Sequence, residues 1–269
     1  LTRVAEGWDN VTWRLGPDLA VRIPRRERAA PLIRHEQRAL PAIALRLAPT
    51  NVRTPLPVFA GAPTPMFPWP WSTVPWLPGS HALGRARRDN TSWAADLAAV
   101  LVALHHDAPV DAPRNPVRGV PLSARDESIR SRLADLAPAL AEPLDALWQT
   151  GLDAAPAAES TWIHGDLHPG NILVDGDRLA ALIDFGDVTS GDPAYDLAVG
   201  WLAFDVEGRH VFRRAMGDRY DTATWIRARA WAAAVATILC QASDDREDLR
   251  SLGFASAAEL INAGGSPAP

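Results

Sequence analysis

Alternating apolar and polar residues predict short β-strands in the first part of the chain. Segments 11–14 and 19–23 alternate in this way, and the Gly-Pro-Asp sequence at 16–18 is a turn signal between them. Another strand is predicted near residue 58 and a further one at 71–74. This part of the chain is therefore predicted to be rich in β-structure.

A helical pattern interrupts these strands. Segment 29–47 repeats apolar residues at helical spacing, which predicts an amphipathic helix, and Pro41 inside it predicts a break or kink. A proline-rich linker follows the last of the strands, at 75–79. The apolar stripe of the helix consists of Leu32, Ile33, Leu40, Ile43 and Leu47.

Beyond the linker the patterns are mainly helical. Ser92 is a candidate N-cap for a helix that ends near residue 105. Segment 123–151 predicts two more helices, which the prolines within it separate. Helical patterns resume at Pro193 and continue towards the end, where residues 264–269 are expected to fray.

One β-hairpin interrupts this helical part. Segment 161–163 is a short apolar strand, and segments 171–174 and 179–183 are strand-like on either side of an Asp-Gly-Asp turn. The pattern as a whole predicts an α+β fold with two lobes. A small β-rich lobe at 1–77, with a hinge at about 74–78, precedes a larger helical lobe at 79–269 that contains the hairpin.

Composition and charge argue against some functional classes for this protein. The chain has 269 residues, 47% of them hydrophobic, and a formal net charge of −5, which argues against a nucleic-acid binder. All 27 basic residues are arginine, as is typical of GC-rich bacterial genomes. The longest apolar run, at 231–240, is about half of what a membrane span requires.

These features predict a monomeric cytoplasmic protein of bacterial origin. The N-terminus lacks a signal-peptide pattern. Cys240, which is the single cysteine, lies in an apolar setting, so we expect a buried and unreactive thiol.

Acidic residues flank the predicted hairpin. Asp166 and Asn171 precede it, and Asp184 follows Asp166 by 18 residues on the exit side. A hairpin returns the chain to its starting point, so two carboxylates and an amide oxygen are expected around one position. Hard oxygen ligands of this kind are those that Mg²⁺ prefers.

Three sequence blocks here resemble the aminoglycoside phosphotransferase and choline kinase-like family, whose members are relatives of the protein kinases. The blocks are H-G-D-L-H-P-G-N-I-L at 164–173, I-D-F-G-D at 183–187 and G-D-P-A-Y-D-L-A at 191–198. The resemblance implies a bilobal protein-kinase-like fold. It also implies transfer of the γ-phosphoryl group of ATP or GTP, with Mg²⁺, to a hydroxyl of a small molecule.

The resemblance also implies roles for individual residues. Asp166 corresponds to the catalytic base that orients the acceptor hydroxyl, and Asn171 and Asp184 correspond to the Mg²⁺ ligands. His164 and Asp196 correspond to residues that hold the loop in place. Because phosphoryl transfer is loose and dissociative, we expect Asp166 to act mainly by aiming the hydroxyl.

The first lobe is expected to supply a cation for the phosphates. Kinases use a strand lysine paired with a helix glutamate, but this chain has no lysine. Arg22 stands at the matching position, and Glu36 is the expected helix partner. The sequence around Arg22 resembles the macrolide phosphotransferase branch of the family, which also has arginine there.

Two weaker predictions concern the rest of the nucleotide site. The chain lacks a G-x-G-x-x-G loop, and the turn at 6–10 is its expected substitute, with Asn10 covering the phosphates. The resemblance places the adenine-binding C=O and N–H at Val74 and Trp76, since Pro75 has no N–H to donate. An ordinary hairpin turn and a plain interlobe connector explain the same two segments equally well.

Three alternative functions share some of these residues. A binuclear metallophosphoesterase would use the Gly-Asp-x-His block at 165–168 and the Gly-Asp-x-x-x-Asp block at 191–196 as metal ligands, but it leaves Asn171 and Asp184 without a role. A zinc site on His164 and His168 lacks a third nitrogen or sulfur ligand nearby. A pseudokinase that binds nucleotide without transfer stays open because arginine replaces the lysine.

The sequence says less about the acceptor than about any other part of the reaction. An aminoglycoside- or macrolide-like antibiotic is expected, with acids recognising ammonium groups or aromatic residues lining an apolar pocket. Solvated acids and core aromatics explain the same residues. The candidate acids are Asp187, Asp205, Glu207, Asp244, Asp245 and Glu247, and the candidate aromatics are Trp201, Phe204, Trp225 and Trp231.

Overall fold

A twisted antiparallel sheet forms the first part of the molecule. The computed structural model describes residues 1–7, 9–241 and 246–262. Within these residues the sheet has the strand order β1-β2-β3-β5-β4. Its strands are β1 (Thr2–Glu6), β2 (Asn10–Leu15), β3 (Leu19–Pro24), β4 (Phe59–Gly61) and β5 (Trp71–Pro75).

Strand β3 presents its two faces to different surroundings. Ala20, Arg22 and Pro24 are buried, whereas the residues between them are half-buried, because successive side chains in a strand point to opposite faces. The buried face places Arg22 opposite helix α1 (Ala30–Leu47). This alternation is what directs Arg22 into the molecule.

Helix α1 buries the predicted apolar stripe together with one acid. Ile33, Leu40 and Glu36 are almost completely buried. The expected break at Pro41 is wrong, because the helix continues through that residue to Leu47. Pro41 removes one helical hydrogen bond, and burial of the stripe outweighs that loss.

The connection between the two parts of the molecule is short. β5 ends at Pro75, and β6 (Ser80–His81) already pairs with the hairpin of the second part. Gly79 has a φ of +126°, and an added Cβ there would meet Val174. The predicted lobe boundary falls within this connection and remains a prediction.

Helices form most of the second part. Trp93, Trp148, Phe185 and Phe212 are fully buried in one apolar core among them. Helix α2 follows a 3₁₀ turn rather than the predicted Ser92 cap, since the Ser92 hydroxyl donates to Asp89 O instead. The helices described are α2 (Ala94–Leu104), α3 (Asp126–Ala134), α4 (Pro138–Asp153), α5 (Ala194–Leu197), α6 (Val199–Ala203), α7 (Val206–Met216), α8 (Thr222–Cys240) and α9 (Glu247–Asn262).

Two strand pairs lie within this helical part, and Asp166 and Asp184 are in the loops next to these strands. β7 (Thr161–Ile163) pairs with β10 (Thr189–Gly191), and β8 (Ile172–Asp175) forms the predicted hairpin with β9 (Arg178–Leu182). The main-chain N–H of Ile183 donates to Asn171 O at 3.0 Å. The hairpin therefore returns the chain to its starting point, as the sequence predicted.

Other expectations for the helical part have mixed outcomes. Cys240 is buried, as predicted. None of the helices in the described ranges is both long and apolar enough to cross a membrane. The segment 264–269, which was expected to fray, lies outside the described residues.

Candidate active site

A buried carboxylate holds the loop that leaves β7. The main-chain N–H groups of His164 and Gly165 donate to the two oxygens of Asp196 at 2.6 and 3.0 Å. Asp196 is fully buried, and His105 Nε2 lies 3.1 Å from it. Gly165 has a φ of +82°, a conformation that residues with a side chain rarely adopt. These bonds fix the direction in which the next residue, Asp166, leaves the loop.

The ring of His164 joins the two ends of the hairpin. Its Nδ1 accepts the main-chain N–H of Asp166 at 3.3 Å, and its Nε2 lies 3.0 Å from Ile183 O. A carbonyl oxygen only accepts, so the ring is neutral with its hydrogen on Nε2. The ring also contacts Phe185, with 4.4 Å between the ring centroids.

Asp166 stands among hydrogen-bond donors. Asn171 Nδ2 donates to its main-chain oxygen at 2.8 Å and to Oδ2 at 3.3 Å, and Arg118 Nη2 lies 3.0 Å from Oδ1. Burial pushes the pKa of Asp166 upwards, but the charge of Arg118 and the bond from Asn171 outweigh it and hold the pKa below its ordinary value. Asp166 is therefore ionised at neutral pH and accepts hydrogen bonds.

Asn171 and Asp184 fit a metal such as Mg²⁺. The amide nitrogen of Asn171 is engaged by Asp166, so the amide oxygen is the atom that remains to ligate. The Asp184 side chain is 48% exposed. Its φ of +62° is left-handed and turns the chain sharply after the hairpin. One carboxylate and one amide oxygen form a donor set that Mg²⁺ accepts alongside phosphate oxygens.

Arg22 connects the sheet to this position. Its Nη1 bonds the carboxylate of Glu36, and its Nη2 donates to Asp184 Oδ1 at 2.6 Å. Both Arg22 and Glu36 are buried. Burial works against the charged guanidinium, but the carboxylates of Glu36 and Asp184 outweigh it and raise the pKa of Arg22. The predicted Arg22–Glu36 pair is present in the structure, and it extends to Asp184.

Residues that the sequence did not single out complete the surroundings of Asp166. Arg118 Nη2 lies 3.6 Å from Asp187 Oδ2, and Arg118 Nη1 donates to the Tyr195 hydroxyl at 2.6 Å. Asn115 Nδ2 donates to Asp187 Oδ1 at 2.7 Å. Arg118 and Asn115 lie in an irregular segment between α2 and α3, which carries no motif or periodicity to mark it.

Asp187 has an unusual affinity for a proton. Burial and the negative charge of Asp166 raise its pKa to about 6, even though the neighbouring Arg118 and Asn115 oppose the shift. Asp187 is thus placed near Asp166, and its role in binding an acceptor remains a prediction.

The turn that was expected to replace a glycine-rich loop is tied to the end of β3. Arg26 Nη2 donates to Asp9 Oδ1 at 2.8 Å, and the main-chain N–H of Gly7 donates to Asn10 O at 2.9 Å. The side-chain oxygen of Asn10 is buried without a hydrogen-bond partner. Trp8 lies outside the described residues. A role for Asn10 in phosphate binding remains a prediction.

Val74 and Trp76, the two residues predicted to bind adenine, lie in different surroundings. Val74 is buried in β5 opposite Ala20. The main-chain N–H of Trp76 donates to Asp18 O at 2.7 Å. The N–H that was predicted to serve adenine is therefore engaged by the turn residue Asp18, just beyond the end of β5, and the adenine role of Trp76 remains a prediction.

Most of the remaining acceptor candidates have structural partners. Asp205 caps α7 by accepting the main-chain N–H of Gly208 at 2.9 Å, and Glu207 is exposed. Trp201 is buried, with its ring beside Trp225, as the alternative of a core aromatic expects, and a part for it in an apolar acceptor pocket remains a prediction. Phe204, Trp225 and Trp231 are likewise core residues, and Asp244 and Asp245 lie outside the described residues.

Two residues that a metallophosphoesterase would use as metal ligands make other contacts in this structure. Asp192 pairs with the buried Arg227 at 2.7 Å and accepts the main-chain N–H of Ala194. His168 Nδ1 accepts the main-chain N–H of Gly170 at 3.0 Å, and burial lowers the pKa of His168 below its ordinary value. Among the described residues, no group of three or more His, Cys, Asp or Glu side chains is placed to hold a metal.

Comparison with protein families gives a clear match. The model of the phosphotransferase enzyme family, abbreviated APH, matches residues 1–231, which is most of the chain. The chain belongs to this phosphotransferase family. The resemblance that the three sequence blocks carry is thereby confirmed.

Curated relatives of this phosphotransferase are homoserine kinases that match over limited regions. The protein from Rhodopseudomonas palustris is 31% identical over 169 residues, which are 57% of this chain and 48% of the relative. The protein from Pseudomonas aeruginosa is 48% identical over 65 residues, which are 24% of this chain and 19% of the relative. The protein from Granulibacter bethesdensis is 34% identical over 89 residues, 33% of this chain and 28% of the relative. The matches thus span about half of the relatives' length or less.

Solved structures confirm the bilobal kinase-like fold. The GDP and kanamycin complex of the aminoglycoside phosphotransferase APH(2")-IIIa has a TM-score of 0.73 and 20% identity, covering 97% of this chain and 93% of that one. The macrolide 2'-phosphotransferase MphH from Brachybacterium faecium has a TM-score of 0.64 and 23% identity, covering 100% and 92%. At these identities the likeness establishes the fold of this phosphotransferase and not its substrate.

Proposed function

We propose that this phosphotransferase moves the γ-phosphoryl group of ATP or GTP onto a hydroxyl group of a small molecule. The observation that carries the proposal is the convergence of Asp166, Asn171 and Asp184, with Arg22 reaching Asp184 from the sheet. This set supplies an acceptor-aiming base, a metal-binding pair and a phosphate-binding cation, which are the parts that phosphoryl transfer requires.

The nucleotide base is proposed to lie over a small apolar cluster. Leu77, Leu173 and Ala181 are buried together, with Ile183 packed against them, and they form a cluster separate from the main core. Leu173 and Ala181 are paired across the hairpin, so they share one face of it. Apolar surfaces of this kind sandwich planar rings in ligand sites. Val74 in the adjacent strand is proposed to offer its carbonyl oxygen to the base.

The triphosphate is proposed to lie between the two lobes. Arg22 presents a planar guanidinium with several donors, which suits phosphate oxygens as well as carboxylates. Asn171 and Asp184 would hold Mg²⁺, which neutralises charge on the phosphates when bound. Arg22 then replaces the customary lysine, with Glu36 fixing its orientation from α1.

The acceptor hydroxyl is proposed to meet Asp166. The low pKa of this carboxylate makes it a weak base, so it aims the hydroxyl by accepting a hydrogen bond and takes the proton late in the transfer. Its position is set by Asn171 on one side and Arg118 on the other.

Two acceptor classes have support from the comparisons. The structural neighbours include enzymes bound to kanamycin or acting on macrolides, which favours an antibiotic-like acceptor. The partial matches to homoserine kinases favour a hydroxy amino acid. Both classes are proposals, and both present a hydroxyl group to Asp166.

The metal-binding pair is tested by nucleotide binding. We expect Asp184→Asn to lose the Mg²⁺-dependent part of nucleotide affinity, by about tenfold or more, because the amide cannot replace a charged ligand. The measurement is isothermal titration calorimetry with ATP and GTP, with and without Mg²⁺. Asp175→Asn, in the exposed turn of the same hairpin, is the control and should bind like the wild type. Unchanged metal dependence in Asp184→Asn would place the metal elsewhere.

A further inference from the structure

Arg118 lies directly beside the carboxylate of Asp166, in a partly exposed position. Its Nη2 lies 3.0 Å from Asp166 Oδ1 and 3.6 Å from Asp187 Oδ2, so one nitrogen stands between the two carboxylates. Its Nη1 donates to the Tyr195 hydroxyl at 2.6 Å. The side chain is 27% exposed. A fixed positive charge therefore stands next to the group that would receive the acceptor hydroxyl.

The acids around Asp166 already have partners. Asp187 accepts from Asn115 at 2.7 Å and faces Arg118, and Asp184 accepts from Arg22 at 2.6 Å. An ammonium group of an acceptor would have to displace one of these partners before it gained a carboxylate. Losing a partner inside a partly buried network is costly, because the group that is left behind stays desolvated.

The charge of Arg118 persists at every accessible pH. A guanidinium does not lose its proton in proteins, and the carboxylates and Tyr195 around Arg118 raise its pKa further against the effect of burial. An acceptor ammonium beside the reacting hydroxyl would therefore face a permanent like charge at close range. A neutral or anionic group in that position would instead accept hydrogen bonds.

The guanidinium has donors left for such a group. It carries five N–H bonds, and the contacts to Tyr195 and Asp166 use one on each terminal nitrogen. The second N–H of Nη2 faces Asp187, whereas Nη1 keeps a second N–H for a group of the acceptor. Hydroxyl, carbonyl and carboxylate oxygens are the natural acceptors for these bonds.

We propose that Arg118 forms part of the acceptor subsite and selects hydroxyl compounds that carry neutral or anionic groups, rather than ammonium groups, beside the reacting hydroxyl. This inference rests on the proposed phosphotransfer to a small-molecule hydroxyl. It makes Arg118 a specificity-determining residue that touches the acceptor.

The test uses acceptor pairs in which N-acetylation removes the positive charge of the amine groups, and the Arg118 variants show how much of the difference within a pair depends on Arg118. The pairs are kanamycin A and its fully N-acetylated form, glucosamine and N-acetylglucosamine, and homoserine and N-acetylhomoserine. For each pair, kcat/KM is measured with the wild type, Arg118→Met, Arg118→Lys and Arg114→Met. Arg114 is an exposed arginine in the same segment and serves as the matched control.

Within an accepted pair, the wild type should prefer the N-acetylated member, and Arg118→Met should reduce that preference by about tenfold or more. Arg118→Lys keeps the charge and should keep the preference, as should Arg114→Met. The ratio within a pair cancels any effect of the substitution on Asp166 itself, since both members use the same base.

Two other outcomes are informative in different ways. If the wild type prefers the amine-bearing member, or if Arg118→Met leaves the ratio unchanged, Arg118 does not select the acceptor, while the proposed function stands. If the wild type binds nucleotide but phosphorylates no member of any pair, and no macrolide or amino alcohol either, the proposed transfer fails and the inference fails with it.

Discussion

At the scale of single residues, Arg22 stands where the family resemblance leads one to expect a lysine. Arg22 bonds Glu36 and, at 2.6 Å, Asp184. The Arg22–Glu36 pair was predictable because the family resemblance matches these two residues to the strand lysine and the helix glutamate of kinases. The bond to Asp184 was not, because it joins residues 162 positions apart and depends on how the lobes meet.

The buried Arg22–Glu36 pair can be separated from its role in nucleotide binding. Arg22→Met leaves Glu36 buried without its partner, so we expect the free energy of unfolding to fall by about 3–5 kcal/mol. The double variant Arg22→Met, Glu36→Leu should recover most of that loss, because no charge is left unpaired. Both variants should bind nucleotide weakly.

Urea unfolding and calorimetric titration with ATP measure these two quantities. An unfolding free energy equal to that of the wild type in Arg22→Met would show that Arg22 does not hold Glu36. Full nucleotide affinity in the double variant would show that Arg22 does not contact the phosphates.

Asp187 predicts a specific pH dependence of stability. Its pKa in the folded protein, about 6, lies above the value of about 3.9 for an unfolded aspartate. Its contribution to stability is therefore complete below about pH 4 and is lost as the pH rises through 6. Asp187→Asn cannot ionise, so we expect it to gain about 1–3 kcal/mol relative to the wild type between pH 4 and 8.

The measurement is the difference in unfolding free energy between Asp187→Asn and the wild type at each pH. Taking the difference removes the titration of carboxylates that do not interact with Asp187, and Asp166, whose pKa lies below its ordinary value, stays ionised over most of this range. A difference that stays constant from pH 4 to 8 would mean that Asp187 has an ordinary pKa.

At the scale of elements, the loops on either side of the hairpin contain the candidate site residues Asp166, Asn171 and Asp184. The hairpin was predictable because its turn signal and strand patterns are local, and it brings Asn171 and Ile183 together as expected. Arg118 was missed because it lies in an irregular segment whose position is set only by tertiary contacts with Asp166 and Tyr195.

We expect a side chain to be tolerated far less at Gly165, in the loop before Asp166, than at Gly176, in the hairpin turn. A Cβ at Gly165 would collide with the main-chain oxygen of Asp187, whereas a Cβ at Gly176 would meet nothing within 4 Å. Both glycines have positive φ, so Gly176→Ala should cost about 1–2 kcal/mol and keep activity. Gly165→Ala should lose about 100-fold in kcat because Asp166 is displaced.

Steady-state kinetics on the folded fraction, monitored by circular dichroism, separate these effects. Normal turnover in Gly165→Ala would contradict the idea that the loop conformation positions Asp166. Loss of activity in Gly176→Ala would point instead to general sensitivity of the hairpin.

At the scale of the whole molecule, the site lies where two structural parts meet. The sheet supplies Arg22, and the helical part supplies Asp166, Asn171 and Asp184. The division into two lobes follows from a change in pattern along the sequence. The main-chain bond from Trp76 to Asp18 beyond the end of β5 could not be predicted in this way, because it depends on how the turn before β3 lies against the linker.

The most direct test of the account is phosphoryl transfer itself. The wild type and Asp166→Asn are incubated with ATP or GTP, Mg²⁺ and a panel of aminoglycosides, macrolides, amino alcohols and hydroxy amino acids. Mass spectrometry then detects one added phosphoryl group on the acceptor. Asp135→Asn, in an exposed position after α3, is the control for removal of a carboxylate.

We expect the wild type and Asp135→Asn to phosphorylate at least one acceptor, and we expect Asp166→Asn to bind nucleotide but transfer at least about 1,000-fold more slowly. Nucleotide binding by the wild type without transfer to any acceptor would contradict the account and favour a pseudokinase. Equal transfer by Asp166→Asn and the wild type would show that Asp166 does not aim the hydroxyl.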